Sequence, residues 1–98
     1  MLNRIELDII VNRIEKMESY FDTVCDAVAL NHNAVSEDEK IAEMYYELVD
    51  YYESGQWLKD YESDERGELP SDFKRGVLSQ DGLYNLLQDI ENKKMHLE

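Results

Sequence analysis

Apolar residues recur at alternating steps of three and four through the first third of the chain: Leu7, Ile10, Ile14, Met17, Phe21, Val24 and Val28. This is the a/d seam of a heptad repeat, and neither proline nor glycine interrupts it. It predicts one long helix from about Asn3 to Leu30. Leu2, Ile5 and Ile9 form a second apolar stripe off that seam. A helix that is apolar on more than one side needs more than one neighbour. Either the C-terminal helix or a second copy of the chain is expected to cover the stripe, the latter giving a homodimer.

The polar run "NHNAV" then reads as a turn, and Ser36 with Glu39 three residues later reads as a capping box. A second helix is expected from there to about Ser54, burying Ile41, Met44, Leu48 and Tyr51, with Tyr45 and Tyr52 beside them. Gly55 supplies a helix terminator. The short connection makes the first two helices antiparallel neighbours. A shorter helix follows from Gln56 to about Glu65, with Trp57, Leu58 and Tyr61 facing inward. The last helix is expected from Ser79 to about Lys94. Leu83, Leu86, Leu87 and Ile90 form its apolar face, and Lys93 and Lys94 suit its negative end.

Between them lies an irregular segment, residues 66–78, punctuated by Gly67 and Pro70. Pro70 cannot continue a helix, Ser71 can cap a short turn, and Gly76 can end that turn with positive φ. Ser79 then caps the last helix, and Leu78 and Leu83 stand at the positions of a hydrophobic staple. Gly82 resists this local account. It sits in the first turn of a helix, where it costs ~1 kcal/mol relative to alanine, so a close approach to its backbone is expected.

The expected fold is all-α. A long N-terminal helix forms an antiparallel hairpin with a second helix, and a short helix and a C-terminal helix pack on the pair. At 98 residues the chain makes one domain, taken as residues 1–96, with Leu97-Glu98 read as a cloning scar. No internal repeat and no alternating β pattern is present. The apolar runs are too short to span a membrane, and the charged N-terminus is unlike a signal peptide. The expected location is the cytoplasm.

Charge narrows the partners. The formal net charge is −13, and residues 37–72 hold thirteen acids against three bases. Such a surface opposes nucleic acid and anionic membranes and favours a basic protein partner. Glu39, Glu43, Glu47 and Asp50 line one side of the second helix as a candidate docking face, or a mimic of nucleic-acid charge.

The stretch "YYESGQWLKDYESDERGELPSDFKRGVLSQDGLYNLL" also carries a resemblance. Tyr51 and Tyr52, the step Trp57, Asp60 and Tyr61, then Gly67, Leu69 and Pro70, and the block Lys74, Arg75, Gly76, Val77, Leu78, Ser79, Asp81 and Gly82 are similar to the signature of one family. It is the small bacterial domain-of-unknown-function family numbered four-two-nine-eight. The resemblance implies an all-helical bacterial protein and no activity.

Motifs for several chemistries fail. The acidic run starting at Asp60 has Glu65 where a calcium loop needs glycine and Ser71 where it needs glutamate. Starting at Glu62, Gly67 fits, but Arg66 and Phe73 stand at ligand positions. Neither His32 nor His96 follows a glutamate by three residues, as a di-iron bundle requires. No zinc-ligand spacing, nucleophile elbow or phosphate-binding glycine loop is present. Cys25 cannot form an internal disulfide, and no neighbouring cation activates its thiol. No catalytic residue, metal ligand or cofactor is expected.

One constellation remains. Tyr52, Trp57 and Tyr61 fall near Lys74 and Arg75, and these precede the helix N-terminus at Ser79 and Gly82. Aromatic side chains with polar tips suit interfaces. Two cations beside free backbone N–H groups suit a carboxylate or phosphate. That anion could equally be an internal carboxylate, Asp60 or Asp64. A non-catalytic protein-interaction module is therefore the leading expectation. The alternative is a small enzyme or an anion- or small-molecule-binding protein using this region.

Overall fold

A computed structural model describes residues 2–72, 74–79 and 81–96, with side chains through Asn92. Among these residues the chain forms five α-helices and one 3₁₀ turn. They are α1 (Arg4–Leu30), α2 (Ala34–Glu37), α3 (Glu39–Glu53), α4 (Gln56–Glu65), the 3₁₀ turn (Gly76–Leu78) and α5 (Gly82–His96). Leu97-Glu98 and the side chains of Lys93, Lys94 and His96 lie outside the described residues, as does Phe73. No described helix is long and apolar enough to cross a membrane.

The heptad seam of α1 becomes the spine of the core, with Ile14, Met17, Val24 and Val28 buried. Asn3 caps the helix, its side chain accepting the Glu6 amide at 2.8 Å. The seam is not uniform. Leu7, Ile10 and Phe21 are only half-buried. Phe21 packs against the core at the start of α5, 3.5 Å from where a Cβ on Gly82 would stand.

The expected capping box at Ser36 is replaced by a different start. Ala34 and Val35 are buried, and packing them closes one extra helical turn, α2, before the chain turns again. Asp38 then caps α3, its carboxylate accepting the Lys40 and Ile41 amides. A charged cap also opposes the positive helix end more strongly than a hydroxyl does. Ile41, Tyr45, Leu48 and Tyr51 of α3 face the core, while Met44 is half-buried. α3 packs along α1, and Lys16, midway along α1, meets Glu47 of α3 at 3.2 Å.

Gly55, at φ +89°, turns the chain from α3 into α4. α4 ends in a Schellman motif: Gly67, at φ +72°, donates its N–H to the Asp64 carbonyl, and Glu68 donates to Ser63. Trp57 is buried and Tyr61 half-buried, but Leu58 is 52% exposed and not inward-facing as expected. The inward stripe of α4 is made by Trp57, Asp60 and Ser63, so a carboxylate occupies the place that the apolar pattern offered to leucine. α5 buries Leu83, Leu87 and Ile90 and lies antiparallel to α3. Its later residue Glu91 meets Tyr45, and its earlier residue Tyr84 meets Tyr52.

α1 is the longest element, 27 residues or about 40 Å at 1.5 Å per residue, and it outruns α3. The N-terminal stripe is correspondingly open. Ile5 is 73% exposed and Ile9 55%.

Candidate functional site

The segment before α5 is fastened to the helices by three polar contacts. Val77, at the centre of the 3₁₀ turn, is fully buried. Its N–H donates to the Glu18 carboxylate on α1 at 2.7 Å. Its carbonyl accepts the Trp57 indole N–H from α4 at 2.8 Å. Arg75 donates to the Asp64 carboxylate and to the Pro70 carbonyl. A buried residue thus has both its backbone N–H and its C=O satisfied by side chains of two different helices, which holds an otherwise irregular chain in place.

The glycines follow from this packing. Gly76 does not adopt positive φ, contrary to expectation; it opens the 3₁₀ turn. A Cβ there would stand 3.2 Å from a Glu18 carboxylate oxygen, so glycine is what lets the carboxylate reach Val77. At Gly82 a Cβ would lie 2.3 Å from the Ser79 hydroxyl oxygen. That hydroxyl accepts the Gly82 amide at 3.2 Å, so Ser79 does serve the start of α5. Regular helix begins only at Gly82, three residues later than the apolar pattern predicts.

The structure parts the basic pair. Arg75 turns to α4 and Asp64. Lys74 lines a shallow recess of about 470 Å3 on the other side, beside Glu15, Asp22 and Asp72. Asp60, the other carboxylate suggested as their partner, instead receives Arg13. The guanidinium donates through Nε at 2.9 Å and Nη2 at 2.7 Å, a two-pronged contact. Tyr51 adds its hydroxyl at 2.7 Å and Gln56 its side-chain amide at 3.2 Å. Asp60 is only 1% exposed, so these donors take the place of water around a buried charge. Burial, followed by the hydrogen bond to Asp60, holds the Tyr51 phenol far above its ordinary pKa.

Tyr52, Trp57 and Tyr61 are brought together. Trp57 stacks on Tyr61 with ring centroids 5.1 Å apart, and Tyr52 lies 5.2 Å from Trp57. The ladder continues to Tyr84 on α5, 6.2 Å from Tyr52 and 46% exposed. Between α3 and α5 it borders a recess of about 280 Å3, lined by Tyr45, Tyr52, Glu53, Tyr84, Leu87 and Glu91. The phenol of Tyr45 is pushed up to about 12, first by burial and then by Glu91, with Tyr46 and Glu53 adding to it. Glu39, Glu43, Glu47 and Asp50 all stand exposed along α3. Half-burial raises the Cys25 thiol, and Asp22 and Asp26 raise it further, which keeps it protonated and unreactive at neutral pH.

Sequence reasoning missed Glu18, Tyr84, Glu53 and Glu91 as members of these sites. Glu18 had one signal: it stands four residues after Ile14 and three before Phe21, on the inward side of α1.

The family model described as "Domain of unknown function (DUF4298)" matches residues 14–96, and the chain belongs to that family. The matched region holds Glu18, Trp57, Asp60 and the Gly76–Gly82 segment, and begins one residue after Arg13. Neither the curated proteins nor the solved structures contain a match to this chain.

Proposed function

We propose that this chain is a non-catalytic interaction protein whose partner is a basic protein segment. The observation that carries the reading is the edge of α3. Glu39, Glu43, Glu47 and Asp50 face solvent together on a chain of net charge −13. The acids that are buried have another use: Glu18 and Asp60 are engaged in bonds that hold the fold. Lys74 and Arg75 face different sides of the 3₁₀ turn, which favours this reading over a converged anion site. Long-range attraction between an acidic surface and a basic segment speeds encounter and weakens steeply with salt. Calorimetric titration with a lysine- and arginine-rich peptide tests it. Binding that fades with added salt and weakens in a Glu39→Gln/Glu43→Gln/Glu47→Gln variant supports it. Absence of binding at low salt refutes it.

A second copy of the chain is a separate partner, favoured by a different observation. Ile5 and Ile9 are exposed, and residues 1–13 hold two acids and two bases, so this stretch carries none of the chain's excess negative charge. Pairing there brings together the part of the chain without excess negative charge. Sedimentation should show a dimer that Ile5→Glu converts to monomer; a parent protein that stays monomeric at high concentration excludes it.

A further inference from the structure

We propose that the recess between α3 and α5 seats a single arginine or lysine side chain of the partner; the proposal rests on the reading that the partner is basic. Its volume, about 280 Å3, lies at the lower limit of small-molecule sites and suits one long side chain better than a cofactor. Its lining is aromatic and acidic together. Tyr45, Tyr52 and Tyr84 supply rings, Leu87 an apolar contact, and Glu53 and Glu91 carboxylates, one from each helix. Among the described residues, no lysine or arginine lines it.

This combination selects a cation over other guests. A guanidinium or ammonium group is attracted to the face of a tyrosine ring within about 6 Å. Its methylene stem gains from contact with Leu87 and the rings. Its charge is met by the two carboxylates. Both line the recess, and both raise the phenol of Tyr45 in its wall. An acidic side chain would meet repulsion there. Glu53 stands at the end of α3, on the same helix as the exposed acids.

The probe is a short Gly-Arg repeat peptide, with a citrulline counterpart that keeps the shape of arginine and loses its charge. Calorimetry gives affinity, and two-dimensional NMR gives location. The arginine peptide should shift the Tyr52 and Tyr84 ring signals and bind at least about tenfold more tightly than the citrulline peptide. Tyr84→Ala, Glu53→Gln and Glu91→Gln should each weaken it by roughly twofold to fivefold, the range of an exposed cation–π contact or a single lost charge, with the melting temperature unchanged. Should Tyr84→Ala disturb folding, the two glutamine variants carry the test alone. Binding that maps to Glu39, Glu43 and Glu47 and ignores all three recess variants overturns this proposal and leaves the basic-partner reading standing. Equal affinity for the citrulline peptide overturns recognition of a cation. No binding of either peptide at low salt removes both the proposal and the reading beneath it.

Discussion

The carboxylate of Glu18 accepts the backbone N–H of Val77 at 2.7 Å, across 59 positions of sequence. Through this one bond the first helix holds the irregular segment that leads to the last. Glu18→Ala leaves the buried Val77 N–H without its partner, which should cost about 1–3 kcal/mol. Glu18→Gln keeps an acceptor and should lose less. Denaturant midpoints rank the variants, and amide exchange at Val77 should accelerate most in the alanine variant. Equal midpoints for parent and Glu18→Ala would show that the latch adds nothing.

Gly82→Ala tests a reversal of sign. In an ordinary helix the change to alanine gains about 1 kcal/mol. Here the new Cβ would displace the Ser79 hydroxyl that accepts the first amide of α5, while the Phe21 ring stays at ordinary contact distance. A net loss of stability is expected. Ser79→Ala combined with Gly82→Ala should lose less than the sum of the two single changes, since both act on one contact. A stabilising Gly82→Ala contradicts the packing described.

Asp60→Asn removes the charge that Arg13, Tyr51 and Gln56 all address. It leaves a partly buried guanidinium uncompensated, at an expected cost of about 3 kcal/mol. Against the 5–15 kcal/mol typical of small domains this is a large fraction. The double change with Arg13→Met should recover part of the loss, read from denaturation curves. Additive losses would mean that the two side chains act independently.

Alkaline pH should separate the tyrosines. The phenol of Tyr45 is pushed up to about 12 and that of Tyr51 is also raised, both chiefly by burial. The fold therefore favours their neutral forms. That contribution is complete below the ordinary phenol value of ~10 and is lost as pH rises through the elevated folded values. Absorbance of tyrosinate should rise in two stages, the later one accompanied by unfolding, and Tyr45→Phe should shrink the later stage. Ionisation of all seven tyrosines in one step near pH 10 with the fold intact would rule this out.

Local pattern was sufficient for the helices themselves. The seam from Leu7 to Val28 marked α1 because side chains three and four residues apart share a helix face. Gly55 and Gly67 were legible as terminators because a left-handed turn excludes most other residues. The block around Lys74 and Gly82 carried the family resemblance without disclosing its purpose. Periodicity misled at Leu58, where Asp60 takes the inward place, and at Ser36, where burying Ala34 and Val35 moves the cap to Asp38. The tertiary structure alone decided which carboxylates among 23 acids go inside. Glu18 is buried because an amide from a distant loop meets it, and Asp60 because Arg13 and Tyr51 do. A buried charge is tolerable only with such partners, and those partners are set by how helices far apart in sequence come together. The recess between α3 and α5 has the same origin. Tyr52 and Tyr84 belong to different helices, and no spacing along the chain announces that their rings will stand 6.2 Å apart.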